Sequence, residues 1–357
     1  MRRVARPAAA LAGLCLAALL LAAPASAGGE VPVCPLAWGV ALDGLPIIEA
    51  RIAAERNLTG LSPRLVVFFL QWPAPGQTQE FPQTSLEAIA ASGAVPCLTW
   101  EPMHHDAQGR EVMAAWGDVL AGAYDAYLAD FARRARAWGR PIIVRLGHEM
   151  NLARYHWGTD ADGYGPESPA IYQRMYRHVV DLCRREGARN LVWAFCPNAE
   201  SNPHPRWHGA AWNTAGAYYP GPEYVDLLGM DGYNWGLIQT RAKHGWDSRW
   251  QEFADIFGEL RAELLALDGR KPLVVFETAS AGLGGNRDRW VEGAARAARD
   301  WGLRALVWFQ VDKEVDWRLI RPRDTAAIRS LAPTLCPPGS GLDWLPSPAQ
   351  APATERR

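Results

Sequence analysis

The sequence predicts an α/β protein folded as a single (β/α)8 TIM barrel. Three observations predict it: eight short apolar segments, stretches of helical periodicity between them, and no Gly-rich phosphate turn anywhere along roughly 300 residues.

The apolar segments fall at residues 36–41, 65–70, 94–100, 141–146, 190–195, 225–230, 272–276 and 305–309. Most are apolar nearly end to end, as a parallel strand covered by helices on its outer face requires. Leu65-Val66-Val67-Phe68-Phe69-Leu70 and Leu273-Val274-Val275-Phe276 are the clearest. Helical periodicity with a polar face is best at 121–138, 170–186, 250–267 and 289–301. Shorter helices are expected at 46–57 and 84–92, between the first three strands. An open doubly wound sheet is the competing architecture, and it would bring a dinucleotide-binding turn. Here Gly282-Leu283-Gly284-Gly285 runs on into Asn286-Arg287, so that pattern fails.

The amino end reads as a secretory signal peptide. Arg2, Arg3 and Arg6 precede an apolar run from Ala8 to Ala23, and Ala25-Ser26-Ala27 supplies a small-residue cleavage pattern. Residues 1–27 are therefore assigned to the signal, 28–336 to the barrel, and 337–357, rich in Pro, Ser and Ala, to a floppy tail. Without its three signal arginines the formal charge moves from −1 to −4. A mildly acidic chain has no footprint for nucleic acid, whose binding needs clustered Lys and Arg. No second apolar run approaches membrane-spanning length, so a secreted or periplasmic monomer is expected. Five cysteines then remain, too widely spaced for a zinc motif. One disulfide is expected, Cys34 to Cys336, since the two bracket the folded region and a closed barrel brings its ends together.

Catalytic groups of such a barrel sit at the carboxyl ends of its strands. Trp100-Glu101-Pro102 follows the third strand and Gly147-His148-Glu149-Met150-Asn151 the fourth. The sixth ends in Asp231-Gly232-Tyr233-Asn234-Trp235, the seventh in Glu277-Thr278, and the eighth carries Trp308-Phe309-Gln310. Carboxylates and indoles gathered on one rim suit a carbohydrate, whose C–H faces stack on rings while its hydroxyls seek carboxylates. A retaining glycosidase needs two carboxyl groups ~5–5.5 Å apart, one acid and one nucleophile. Glu149 and Glu277, closing strands that face each other across the barrel, are the candidate pair.

Arg145, four residues before Glu149, is placed by a period of two on the same strand face. It has two readings: it holds a catalytic carboxylate charged, or it neutralises an unrelated buried Asp. Trp308 also stays open, as core or as the floor of a sugar site. Competing chemistries fit poorly. The segment at His148 lacks the second His of a zinc-protease helix, and no Gly-x-Ser-x-Gly elbow occurs. His104 and His105 could join His148 around a metal, but adjacent loop histidines usually face solvent. Neither a metal nor an organic cofactor is expected.

Taken together, these motifs resemble glycoside hydrolase family 26, a family of retaining barrel glycosidases. The resemblance is carried by residues 145–151, Tyr219-Pro220-Gly221-Pro222-Glu223-Tyr224-Val225-Asp226, Gly229–Asn234, Glu277, Trp308-Phe309, Lys313-Glu314 and Asp316-Trp317-Arg318. It implies that Glu149 is the acid/base and Glu277 the nucleophile. It also implies that His148 lies near the sugar's 2-hydroxyl or the acid/base, where most related barrels have Asn. Tyr233 would bond the nucleophile or the sugar, and Trp308 would stack beneath the sugar. Trp100, Asn151, Tyr155 and Trp157 join the expected substrate contacts. Similar family members often read Gly-Asn-Trp-Tyr-Pro-Trp after the acid/base motif. Here Leu152-Ala153-Arg154-Tyr155-His156-Trp157 keeps Tyr155 and Trp157 but sets Arg154 in place of a tryptophan. That guanidinium would favour a substituted or acidic polymer, or simply stack on a neighbouring ring. The expected function is a secreted endo-β-glycanase on β-1,4-mannan, with mixed-linkage β-glucan as the alternative. A non-catalytic carbohydrate-binding barrel is the rival from another class.

Overall fold

The computed structural model describes residues 36–336 and 342–346. Eight parallel strands close into a barrel: β1 (Ala37–Ala41), β2 (Leu65–Gln71), β3 (Val95–Glu101), β6 (Ile142–Leu146), β7 (Leu191–Phe195), β8 (Leu227–Asn234), β9 (Leu273–Ser280) and β10 (Ala305–Phe309). Two further short strands, β4 (Met103–His105) and β5 (Glu111–Met113), form an antiparallel hairpin after β3. Every expected strand is present. The sixth and seventh of the barrel run on to Asn234 and Ser280, past the apolar runs that announced them. Their polar extensions pair with each other, Asp231 with Glu277 and Tyr233 with Ala279. Hydrogen bonding between neighbours, rather than hydrophobic pattern, carries these strands to the rim.

The helices follow their strands: α1 (Glu49–Thr59), α2 (Gln83–Ala91), α3 (Trp116–Leu120), α4 (Asp125–Trp138), α5 (Ser168–Arg185), α6 (Arg241–His244), α7 (Phe253–Asp268), α8 (Arg287–Asp300) and α9 (Pro322–Ser330). On α5, Ile171, Tyr172, Met175, Tyr176, Val179, Val180 and Cys183 are buried at helical spacing. The helix expected to begin at residue 121 starts instead at Asp125, after Gly122 takes a left-handed φ of 86°. Strand–helix alternation lapses once. Between β7 and β8 the only helix described is a 3-10 turn at Ala215–Tyr218, in a long segment that lends a residue to the site below.

The expected signal peptide and Cys34 lie outside the described residues. Cys336 is disulfide-bonded, while Cys97, Cys183 and Cys196 are free and buried. The expectation of a wholly floppy tail does not hold over residues 342–346. There Trp344 is buried and belongs to the same hydrophobic core as the barrel. An indole removed from water stabilises a segment that its Pro-rich flanks would not. Among the described residues no helix is long and apolar enough to cross a membrane.

Candidate active site

The site is organised around one buried cation. Arg145 on β6 is completely enclosed. Nη1 donates to Glu277 Oε1 at 2.8 Å and to Thr99 Oγ1 at 2.9 Å, while Nη2 pairs with Asp231. Both readings of this arginine therefore hold at once: it neutralises a buried Asp and holds the carboxylate of Glu277. Burial opposes its charge, but Asp231 and then Glu277 outweigh that and raise its pKa well above the ordinary value.

Glu277 owes its position to an irregularity in β9. Met230 pairs with Val275 and Asp231 with Glu277, so Phe276 is an extra residue in the ladder; the register against β10 shifts over the same stretch. Such a bulge breaks strict alternation and re-aims a side chain. Consecutive residues Phe276 and Glu277 consequently meet the same guanidinium, the ring centroid at 5.3 Å and the carboxylate at 2.8 Å. From β8, Tyr233 donates its hydroxyl to the other Glu277 oxygen at 2.5 Å.

Glu149 arrives differently from the sequence expectation. Period two on a strand was to place it on the face of Arg145, but β6 ends at Leu146 and a turn follows. Gly147 and Glu149 both take left-handed φ, 54° and 52°; Glu149 is the only non-glycine to do so among the described residues. That conformation costs a residue with a Cβ about 1–2 kcal/mol, and it survives where surrounding contacts over-determine it. Here Glu149 N–H donates to Cys196 O at 2.8 Å, and Glu149 Oε1 accepts from Asn198 Nδ2 at 2.7 Å. Asn151 holds that Asn198 by a reciprocal pair, Nδ2 to the Asn198 carbonyl at 2.9 Å and Asn198 N–H to Oδ1 at 2.8 Å. Burial, then the negative charge of Glu277, pushes the Glu149 carboxyl up to about 7.

His148 lies buried beside these groups, its ring 4.8 Å from that of Tyr155 and 6.3 Å from Phe69. Burial, reinforced by Arg145, drives its pKa well below the usual range, so the imidazole is neutral. Ligand atoms of His148, Asp231 and Glu277 lie within 4.8 Å of one another. The Arg145 guanidinium already bridges the two carboxylates of that trio, supplying the positive charge a metal would bring.

Three expected sugar contacts are corrected. Trp100 is fully buried and turned to the helix layer, stacked on Phe131 of α4 at 4.3 Å with its N–H on Tyr127 Oη at 2.8 Å. Trp308 packs against Trp290 of α8 at 6.0 Å and donates to Trp317 O at 2.9 Å. Both sit on strand positions whose alternation points outward, away from the barrel mouth. Trp157 is also buried; it donates to His148 O at 2.7 Å and stacks on Tyr155 at 5.1 Å, bracing that ring from behind. Tyr155 keeps partial exposure. Arg154 follows the second of its two readings: it forms two contacts with Glu111 of the β4–β5 hairpin, at 2.6 and 2.7 Å, and lies 4.9 Å over the Tyr155 ring.

Sequence reasoning did not select Asp231, Asn198 or the pair Gln71–Glu101. Gln71 Nε2 donates to Glu101 at 2.5 Å, and burial pushes that carboxyl up to about 7. Asp231 and Glu101 stood at strand ends and were legible by that rule. Asn198 lies in a loop without periodicity and carried no such signal.

The model of glycosyl hydrolase family 26 matches residues 111–255, a span that holds Arg145, Glu149, Asn198, Asp231 and Tyr233 but not Glu277. Endoglucanase H of Acetivibrio thermocellus is 32% identical over 286 residues, 79% of this chain and 29% of that protein. A mannan endo-1,4-beta-mannosidase of Bifidobacterium adolescentis is 33% identical over 51% of this chain and 16% of its own length. The chain thus spans under a third of the length of either relative. A GH26 beta-mannanase structure from Bacteroides ovatus superposes with a TM-score of 0.56 at 17% identity, over 87% of this chain and 93% of that one. That likeness supports the closed eight-stranded barrel. On the family-model match and the identity to endoglucanase H, this chain belongs to glycosyl hydrolase family 26.

Proposed function

We propose that the chain is a retaining endo-β-glycanase working by double displacement. Glu277 attacks the anomeric carbon as the glycosidic C–O bond breaks, and Glu149 gives its proton to the departing oxygen. Water then attacks the glycosyl-enzyme ester, Glu149 takes the water's proton, and Glu277 leaves as carboxylate. One observation carries this reading: two enclosed carboxyl groups are set up in opposite ways at one barrel mouth. Glu277 accepts from Arg145 and Tyr233, which suits an ionised attacking oxygen, whereas Glu149 has its pKa pushed to about 7, which suits a proton donor. His148, Tyr155 and Asn151 complete the proposed machinery, the first two toward the sugar and the third through Asn198.

β-1,4-Mannan is the first polymer proposed, in line with the relatives named as mannan endo-1,4-beta-mannosidases. A β-glucan reading is favoured by a separate observation, the longer match to a protein named as an endoglucanase. Export is proposed with residues 1–27 as its signal, on their basic, apolar and small-residue order. Incubation with β-mannan and mixed-linkage β-glucan, followed by sizing of products, tests the reading. Mid-length oligosaccharides early in the reaction support endo action. Binding without any new reducing ends favours the non-catalytic barrel.

A further inference from the structure

An aromatic track leads out of the site, and no step of the proposed mechanism uses it. Tyr233, bonded to Glu277, lies 6.2 Å from the Trp235 ring, and Trp235 lies 6.4 Å from that of Trp246; Trp317 closes the inner side at 5.0 Å from Trp235. Of the inner rings Trp317 is buried and Tyr233 and Trp235 are half-buried, while Trp246 is 46% exposed, with Leu237 at 51% and Leu283 at 57%. Large apolar side chains left exposed beside a candidate site mark a candidate interaction surface.

The shelf is also rigidly built. Asn234, at the buried end of β8, anchors both ends of the loop that carries Trp246. Its Oδ1 accepts from Gly236 N–H and from Gln251 N–H, each at 3.1 Å, and its Nδ2 donates to Ser280 Oγ at 2.9 Å. Gly236 has φ 55°, and a Cβ there would stand 2.0 Å from the Leu283 carbonyl oxygen, so only glycine allows this approach. Leu237 N–H then donates to that carbonyl at 3.0 Å, tying the two exposed leucines together. Further out, Gln239 and Ser248 pair across the loop at 3.0 and 3.1 Å.

We propose that Trp246, backed by Trp235, is a sugar-stacking site that holds an uncharged β-glycan chain beyond the bond being cleaved. Its continuity with the candidate active site, ring by ring from Glu277, commits the occupant to substrate. An indole face supplies contact area with little ordering cost, and a pre-set loop adds none at binding. This inference rests on the glycanase reading and is tested so that the two fail separately.

The test uses the full chain and glucomannan, a neutral polymer of β-1,4-linked mannose and glucose. In a Glu149→Gln background, retardation in a native gel containing glucomannan measures binding without turnover. Adding Trp246→Ala is expected to weaken binding by roughly fivefold, and Trp246→Phe to restore most of it. In the active protein, Trp246→Ala is expected to lower kcat/KM on glucomannan about fivefold more than on an aryl β-disaccharide, a substrate too short to reach the shelf. Equal retardation of parent and Trp246→Ala overturns the inference, as does an absence of binding by the parent. A dimer in light scattering that Trp246→Ala converts to monomer also overturns it, since the face would then serve a second copy. Binding that depends on Trp246 in a protein that hydrolyses nothing upholds the shelf and sinks the glycanase reading.

Discussion

Arg145 and Glu277 lie 132 residues apart in the chain, yet one guanidinium N–H donates to the carboxylate at 2.8 Å while the same group pairs with Asp231. This triad links β6, β8 and β9 at the mouth of the barrel. Removing one partner from such a buried group leaves uncompensated charge, typically at a cost of about 3–5 kcal/mol. Arg145→Met is therefore expected to lower the urea midpoint by that equivalent and to abolish turnover. An unshifted midpoint would mean that the carboxylates do not depend on this cation.

Glu149 governs the alkaline side of the proposed reaction. As general acid it must carry its proton, which it loses as pH rises through about 7. The kcat/KM profile should fall above that pH, and Glu149→Gln should lack the limb together with nearly all activity on unactivated glycans. A rate that holds level to pH 9 would rule out this proton donor.

Glu101 offers a test by stability. Its folded pKa of about 7 lies above the ordinary carboxyl value of 4.5, so the fold prefers it protonated. Stability is then full below about pH 4.5 and declines as pH rises through 7, by up to roughly 3 kcal/mol. Glu101→Gln keeps the shape without the ionisation. Its unfolding free energy should match the parent near pH 4.5 and exceed it at pH 8. Equal stabilities at pH 8 would show that the Glu101 carboxyl ionises freely in its cavity.

Much of this was legible in the sequence because burial on both faces leaves apolar runs that mark each strand. The rule that chemistry follows strand ends selected Glu149 and Glu277 as candidates, and the fold brings both to the mouth of the barrel. It failed where local geometry departs from regular alternation. Period two put Glu149 above Arg145, whereas a left-handed turn delivers it. Position left Trp308 open between core and sugar floor, and the family resemblance made it and Trp100 expected sugar contacts, yet both turn outward to pack on α8 and α4. Along a strand, one residue of offset exchanges the barrel mouth for the helix layer. Asn198 was invisible because it belongs to an irregular loop and is held in place by Asn151, 47 residues away in sequence.

The most direct test of the central claim is to trap the covalent intermediate. A 2-deoxy-2-fluoro β-glycoside with an activated leaving group slows breakdown of the ester, and mass spectrometry of the digested protein locates the label. Attachment to Glu277 in the native protein, and none in Glu277→Ala, is the expected result. A label on any other residue, or turnover with inversion at the anomeric carbon and no label, would contradict it.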